Sequence, residues 1–153
     1  MRVRTRSWST VATAVLLSFG LAGAVAPTAS AQPVTLEAVG AISGPVEHVR
    51  AQGDFVYVSH HTSFSIWDVS NPAAPRQMGS TEFPEEIWGF RIRGNRAYVG
   101  ANFFGVGILD ISDPSAPTLL GSHKTLGQAK IGAVYESRVV LIDHMEGLVM
   151  VDI

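Results

Sequence analysis

The chain has 153 residues, of which 46% are hydrophobic, and its 13 acidic and 11 basic residues give a formal net charge of −2. It contains no cysteine, which excludes a disulfide framework and thiolate chemistry. The weakly acidic balance argues against nucleic acid or an anionic membrane as a partner, because both require a basic patch.

The first 31 residues have the features of a secretory signal peptide. Three arginines lie within the first six residues, residues 11–26 are apolar or small, and Ala29-Ser30-Ala31 offers a cleavage site before Gln32. The alternative is a membrane anchor, but the apolar run is shorter than the roughly 20 residues that a spanning helix needs. No twin-arginine pair is present, so we expect the general secretion route. Residues 32–153 carry eight basic and 13 acidic residues and are expected to form a secreted, extracellular protein without a membrane span.

A sequence repeat of constant length runs through the rest of the chain. The segment DVSNPAAPRQMGS that begins at Asp68 returns as DISDPSAPTLLGS at Asp110, and a third copy begins at Asp152. A fixed period of about 42 residues is typical of repeated supersecondary units. Aligned on the aspartates, the units cover about residues 35–70, 77–112 and 119–153.

Each unit contains four short segments with strand character, which in unit two are residues 77–83, 88–93, 96–101 and 106–111. In the second segment Trp88, Phe90 and Ile92 alternate with glycine and arginine, the pattern of a strand with one buried face. The third and fourth segments are nearly continuous apolar runs, which indicates that both faces are covered. No segment after residue 32 has a helical apolar stripe. We therefore predict an all-β, β-propeller-like domain over residues 32–153, built from three four-stranded repeat units.

Turn residues separate the second and third segments of each unit. Gly94-Asn95 fits a primed hairpin turn, which needs positive φ at central positions, and Gly53-Asp54 is its equivalent. Glu136-Ser137 holds this place in unit three and predicts a different turn there.

An Asp-x-Ser-x-Pro-x-x-Pro segment follows the fourth strand. Asp and Ser side chains bond nearby backbone amides, and proline lacks the amide donor of a ladder, so we expect this segment in the gap between units. The alternative role for Asp68 and Asp110 is calcium binding, but a lone aspartate lacks the several oxygen ligands that calcium takes.

The run GVGILDISDPSAP from Gly105 to Pro117 resembles the LVIVD repeat family, and residues 63–69 and 147–153 match the same pattern. The resemblance covers essentially all of residues 33–153 and implies an exported or surface protein with a β-propeller fold. It implies no catalytic residues. Ser63 stands where the other copies have glycine, and one residue is missing between Tyr57 and Ser63. Both departures predict a different loop in unit one.

The candidate binding residues lie in the loops before the fourth strands. His61, Asn102 and His144 are at equivalent positions, and rotational repetition would place them side by side at one end of the molecule. Phe103 and Phe104 lie in the same loop of unit two and could contact a protein or a sugar. The alternatives are that the polar residues are solvated turn residues and that one phenylalanine packs against a neighbouring sheet.

No phosphate loop, zinc motif or nucleophile elbow is present in the sequence. We therefore predict a secreted scaffold that binds a protein or glycan partner, with no catalytic residues, no metal and no cofactor. The alternative function is an extracellular hydrolase or lyase that uses a metal at the propeller mouth, with His61 and His144 as the imidazole pair.

Propellers usually close with about four to eight blades, and three units leave apolar faces and strand edges open. Three outcomes are compatible with this: a fragment of a longer propeller, two chains that complete a six-unit ring, or an open array. The third copy reaches Ile153 without the proline segment that follows the other two, which favours the fragment. Besides a protein or a glycan, the sequence suggests a second copy of the chain as a partner, through self-association at the open edges.

Overall fold

The structure is a computed structural model that describes residues 36–153, so the predicted signal peptide, residues 1–31, lies outside the described residues. The described part contains eleven β-strands and no helix, which confirms the all-β prediction. The strands are β1 (His48–Gln52), β2 (Phe55–His60), β3 (Ser63–Asp68), β4 (Arg76–Glu82), β5 (Ile87–Arg93), β6 (Arg96–Ala101), β7 (Gly105–Asp110), β8 (Thr118–His123), β9 (Ala129–Tyr135), β10 (Arg138–Asp143) and β11 (Gly147–Asp152). Within residues 36–153 no helix is long and apolar enough to cross a membrane.

The strands form three antiparallel sheets in which strands that follow one another in sequence also pair. Sheet 1 has the order β1-β2-β3-β4, sheet 2 the order β5-β6-β7-β8, and sheet 3 the order β9-β10-β11. The first strands of the sheets lie next to one another, because β5 contacts both β1 and β9. We call β1, β5 and β9 the inner strands. Consecutive sheets stacked around adjacent inner strands are β-propeller-like, as predicted.

The grouping of strands into units differs from the prediction by one strand. Residues 77–83 were expected to begin unit two, but β4 pairs with β3 and closes sheet 1, and β8 closes sheet 2 in the same way. Sheet 3 has three strands instead of four, and residues 36–47 form no strand. The proline segment therefore connects two strands of one sheet and does not lie between units. The repeat period fixes the spacing of the strands but not where a sheet begins.

The aspartates at the ends of β3 and β7 cap the turns that follow them. Asp68 Oδ1 accepts a hydrogen bond from the amide of Ser70 at 2.9 Å, and Asp110 Oδ1 accepts one from Ser112 at 2.8 Å. Hydrogen bonds from these serines lower the pKa of both carboxyl groups. The carboxylates are thus engaged by their own chain, which supports the turn role over calcium binding.

Two apolar clusters hold the sheets together. Between sheets 1 and 2, Phe64 and Ile66 pack with Phe90, Ala97 and Val99, and the rings of Phe64 and Phe90 meet edge to face with centroids 5.1 Å apart. Between sheets 2 and 3 the buried residues are Tyr98, Val106, Ile131, Val139 and Leu141. Complete burial of a side chain of this kind contributes about 1.5–3 kcal/mol, so the two clusters are the main source of stability.

The two outward faces of this arrangement are apolar as well. Register places Leu148 and Met150 of sheet 3 at the positions that Phe64 and Ile66 hold in sheet 1, and they are 65% and 60% exposed. On the far side of sheet 1 a groove of about 320 Å³ is lined mainly by valines and prolines. Its Val49, Val56 and Val58 correspond in register to Phe90, Ala97 and Val99 of sheet 2. Each open face therefore has the residue type of a sheet-to-sheet interface.

Outer strands rest directly on the proline segment of the next sheet. A Cβ on Gly79 of β4 would lie 2.7 Å from the carbonyl oxygens of Pro114 and Ser115, so only glycine fits there without displacement. Gly40 approaches the carbonyl of Pro72 in the same way, whereas a Cβ on Gly121 of β8 would meet no described atom within 4 Å. The residues around Gly40 therefore pack on the proline segment of sheet 1 in the same way as β4 packs on the proline segment of sheet 2.

The hairpin turns after the inner strands share one backbone feature. The first turn residue is left-handed in all three sheets, with φ of +59° at Gly53, +56° at Gly94 and +48° at Glu136. The prediction of a different turn in unit three is wrong in this respect, because Glu136 adopts the conformation that glycine has elsewhere. The predicted difference in the loop of unit one is confirmed, since residues 61–62 connect β2 to β3 where the other sheets use three residues.

Candidate functional site

The three predicted polar residues occupy equivalent positions, directly after β2, β6 and β10. Their loops also tie each sheet to the next one. The carbonyl of His61 accepts a hydrogen bond from the amide of Ile87 at 2.7 Å, and that of Asn102 accepts one from Ala129 at 2.9 Å. His61 and Asn102 have left-handed backbones, with φ of +52° and +36°. The loops therefore meet the starts of the inner strands, at one end of the sheets.

A continuous set of contacts joins the loops of sheets 1 and 3 through the start of β5. His61 Nδ1 lies 3.9 Å from Glu86 Oε1, and Trp88 Nε1 donates a hydrogen bond to Glu86 Oε2 at 3.2 Å. The indole ring of Trp88 then lies against the imidazole of His144, with centroids 5.5 Å apart. His61 and His144 are thus connected through Glu86 and Trp88.

Trp88 lines a shallow depression of about 370 Å³ with Glu47, His48, Glu86, Ile87 and Lys130, which we call the Trp88 depression. The carboxylate of Glu47 also holds the neighbouring loop, because it accepts a hydrogen bond from the amide of His61 at 2.9 Å and lies 3.8 Å from His60 Nδ1. The depression combines an aromatic ring, two carboxylates, an imidazole and one lysine within the size range of small-ligand sites, about 300–1,000 Å³.

His48, the first residue of β1, lines the Trp88 depression together with Lys130. Burial lowers its pKa, Lys130, Arg50 and Arg91 lower it further, and Glu47 opposes them. Its Nδ1 lies 3.2 Å from the hydroxyl of the buried Ser59. A neutral imidazole between cations can accept or donate a hydrogen bond without adding charge.

The side chain of Asn102 is engaged within the protein. Its Nδ2 donates a hydrogen bond to Glu85 Oε2 at 3.3 Å, and its Oδ1 is buried without a partner among residues 36–153. The structure therefore places Asn102 at the predicted end, with its Oδ1 buried and its Nδ2 bonded to Glu85.

The two phenylalanines of the same loop have different environments. Phe104 packs edge to face on Phe83, with centroids 5.7 Å apart, and supports the cluster between sheets 1 and 2. Phe103 is 47% exposed and borders a second depression of about 390 Å³ with Pro84, Glu85, Phe104, Ser122 and Lys124. Phe103 is the more exposed ring of the pair, whereas Phe104 packs against the core and borders the depression from inside.

The acidic side chains of the sheet 3 loop accept hydrogen bonds from nearby backbone amides. Asp143 is 2% exposed and accepts hydrogen bonds from the amides of Gly127, Met145 and Glu146 at 2.7–3.0 Å. Burial raises the pKa of Asp143, but the hydrogen bonds outweigh it and the pKa is lowered. Glu146 Oε2 accepts the amide of Leu126 at 2.9 Å. Among residues 36–153 no three His, Cys, Asp or Glu side chains are grouped so that they could hold a metal ion.

Sequence reasoning missed Trp88, Glu86, His48 and Lys130. The alternation of Trp88 with Phe90 and Ile92 predicted that all three side chains face the core, but the register of β5 against β6 shifts between Ile87 and Gly89. Such a bulge re-aims a side chain, and Trp88 is only half-buried while Phe90 is fully buried. The signal available in the sequence was the pair Glu85-Glu86 directly before Ile87 and Trp88, which is also typical of a solvated turn.

The sheet arrangement defines a repeat protein of β-propeller type. The LVIVD repeat model matches residues 43–82 and 87–125, slightly more than half of the chain, and the protein belongs to the LVIVD repeat family. The two matches coincide with sheets 1 and 2, which supports the observed grouping of strands over the predicted one.

Among solved structures, the crystal structure of the N-terminal domain of Nup159 is similar to this chain, with 17% identity and a TM-score of 0.49. The similarity covers 69% of this chain and 26% of that one, so the chain spans about a quarter of the structure it matches. No curated protein matches the sequence significantly.

Proposed function

We propose that this protein is a secreted binding scaffold that holds a glycan in the Trp88 depression, between the loops of His61 and His144. The observation that carries the proposal is the set of contacts from His61 through Glu86 and Trp88 to His144. It brings polar loops and an aromatic ring from all three sheets to one open surface. Export is supported by the character of residues 1–31 and by the exported family that the chain resembles.

A hydroxyl-rich ligand fits the chemistry of this surface better than an apolar one. The carboxylates of Glu47 and Glu86 accept hydrogen bonds and the ring of Trp88 offers an apolar face with a polar edge. Recognition by residues on a rigid sheet and on short tethered loops costs little ordering entropy.

The proposal is tested by screening the full chain against immobilised neutral and acidic glycans, followed by titration calorimetry of the bound ones. We expect Trp88→Ala and His61→Ala to weaken binding of the best glycan at least about tenfold, a loss of roughly 1.4 kcal/mol. His123→Ala, an exposed histidine on β8, is the matched control and should bind as the wild type does. Failure of every glycan to bind, or equal loss in the control, would contradict the proposal.

For the open apolar faces we propose a second copy of the chain as the partner. The two open faces match the two halves of the interface between sheets 1 and 2. In register, Leu148 and Met150 of one copy correspond to the sheet 1 half of that interface, and the valine groove of another copy corresponds to the sheet 2 half. Residues around Gly40, already seated on the proline segment of sheet 1, would then lie beside β11 of the partner copy as its fourth strand. Two identical head-to-tail contacts of this kind would close a ring of six sheets.

A further inference from the structure

The inner strands carry positively charged side chains and no acidic ones. β1, β5 and β9 contain His48, Arg50, Arg91, Arg93 and Lys130, and they contain no aspartate or glutamate. The three strands nevertheless belong to a segment, residues 32–153, in which acidic residues outnumber lysine and arginine by 13 to eight. The cations are thus concentrated on the one line along which the three sheets meet.

The lysine and arginine residues of the inner strands have no carboxylate partner in the described part of the chain. The ion pairs of residues 36–153 use His60, His61, Arg76 and Arg138, and none uses Arg50, Arg91 or Lys130. The guanidinium groups of Arg50 and Arg91 donate instead to the carbonyls of Val49 and Phe90, at 2.6 and 3.0 Å. A backbone carbonyl satisfies a donor but does not neutralise its charge.

The cations are also close to one another. Arg50 and Arg91 have the same register position on adjacent inner strands, opposite Tyr57 and Tyr98, and Arg50 lies over the ring of Phe90, 6.0 Å from its centroid. Burial lowers the pKa of Arg91 and the charge of Arg50 lowers it further, while Lys130, Arg50 and Arg91 all act on His48. Arg50 and Arg91 therefore both lie beside Phe90, and Lys130 lines the Trp88 depression together with His48.

The nearest carboxylates are directed to other groups. Glu47 holds the amide of His61 and faces His60, and Glu86 accepts the Trp88 indole and faces His61. Gly89 of β5 lets Ile131 and the His48 ring approach the strand closely, since a Cβ there would lie 3.3 Å from Ile131 and 3.9 Å from the ring. Like charges gathered without counter-charge repel one another, so an anion bound from outside would stabilise the arrangement.

We propose that Arg50, Arg91 and Lys130, with His48 as a hydrogen-bonding neighbour, form a binding site for a multivalent oxyanion on the inner strands, next to the Trp88 depression that Lys130 and His48 also line. The shared chemistry is a phosphate, sulfate or carboxylate group, either free in solution or carried by a sugar. Paired arginines bind such groups through charge-assisted, often bidentate hydrogen bonds. The proposal rests on the inner-strand cations and not on Trp88, so it stands if neutral glycans fail to bind.

The experiment is titration calorimetry of the full chain with inorganic pyrophosphate and, separately, with a sulfated oligosaccharide. The test variant is the double substitution Arg50→Gln/Arg91→Gln. The matched control is Arg96→Gln/Lys124→Gln, which removes the same charge from positions outside the inner strands. We expect the test variant to weaken pyrophosphate binding at least about tenfold and the control to change it less than about twofold.

The two ligands distinguish the sources of the anion. Binding of both, with the same dependence on Arg50 and Arg91, supports a site for the oxyanion itself, and binding of the oligosaccharide alone supports a site for an anionic sugar. Absence of binding by both ligands at millimolar concentration, or equal weakening in the control, overturns the proposal. Trp88→Ala run in parallel separates the two proposals, because it should abolish glycan contacts in the depression and leave pyrophosphate binding unchanged.

A second readout needs no ligand. In dilute buffer without multivalent anions, Arg91→Gln should raise the melting temperature, because it relieves repulsion among the cations. A lower melting temperature would show that Arg91 is a structural residue and would count against the site.

Discussion

Glu136 occupies a backbone conformation that sheets 1 and 2 give to glycine. Its φ of +48° matches +59° at Gly53 and +56° at Gly94, and a left-handed backbone costs a residue with a side chain about 1–2 kcal/mol. The carbonyl of Glu136 accepts a hydrogen bond from Arg93 at 2.6 Å, which shows why the geometry is kept. Gln52 makes the same contact with the carbonyl of Gly94 at 3.1 Å.

Replacing Glu136 with glycine should therefore stabilise the protein. We expect Glu136→Gly to raise the free energy of unfolding by about 1 kcal/mol, because the strain disappears while the carbonyl contact with Arg93 remains. Gly94→Ala is the matched opposite change and should lower it by a similar amount, since only the backbone and no steric contact opposes a Cβ there. Urea denaturation measures both, and a destabilised Glu136→Gly protein would contradict the argument.

The turn aspartates make stability depend on acid. Hydrogen bonds from Ser70, Ser112 and Ser115 lower the pKa of Asp68, Asp110 and Asp113 in the folded chain below the ordinary value of 3.8. The unfolded chain then binds more protons than the folded one at low pH, so this contribution is complete above pH 3.8 and is lost as the pH falls through the lower folded values.

Asparagine at these three positions should keep the turns and remove the acid sensitivity. The structure supplies the precedent, because Asn71 Oδ1 accepts the amide of Ala73 at 3.2 Å. We expect the melting temperature of the triple Asp→Asn protein to fall less steeply than that of the wild type between about pH 5 and pH 2. Parallel curves for the two proteins would show that other carboxylates control acid unfolding.

At the scale of strands, contacts between sheets run through the backbone as well as through side chains. Gly79 rests on the carbonyls of Pro114 and Ser115, and Gly121 holds the same sequence position in β8 with nothing described within 4 Å. Gly79 and Gly121 therefore hold the same position in their strands and differ only in whether another part of the described chain packs against them.

Gly79→Ala should destabilise the protein by about 1–3 kcal/mol, the usual cost of forcing extra atoms into a packed contact. Gly121→Ala is the matched control and should change stability by less than about 0.5 kcal/mol. Thermal melts of the two variants provide the comparison. Equal losses would mean that strand pairing, and not the approach to the proline segment, determines the effect.

Sequence periodicity predicted the strands themselves well, because apolar runs and turn residues recur at the same place in every repeat. It could not predict which sheet takes β4 and β8, since pairing depends on the path of the proline segment and not on the composition of the strand. The equivalence of His61, Asn102 and His144 was visible in the alignment of the copies. The contact of Trp88 with His144 was not, because it follows from a local bulge in β5 and from the packing of sheet 3 on sheet 2.

At the scale of the whole molecule, the exposed faces of sheets 1 and 3 should govern association. Light scattering of the purified protein is expected to give a discrete dimer if two copies cover each other's open faces. Leu148→Lys/Met150→Lys places charge in this contact, which costs several kcal/mol when the charge is buried, and should yield monomers. Leu126→Lys, at a loop residue that is 74% exposed, is the matched control and should remain dimeric. A monodisperse wild-type monomer would contradict the second copy as the partner.

The path of the proline segment affects how whole repeats can be added to or removed from such a protein. Each complete sheet takes its outer strand from the start of the next sequence repeat, so every repeat boundary falls inside a sheet. An insertion or deletion of one full repeat length, wherever it is cut, therefore leaves each internal sheet with four strands and each outer strand with a proline segment to rest on. Recombination can change the number of blades without creating a new junction, because every junction is already a copy of the others.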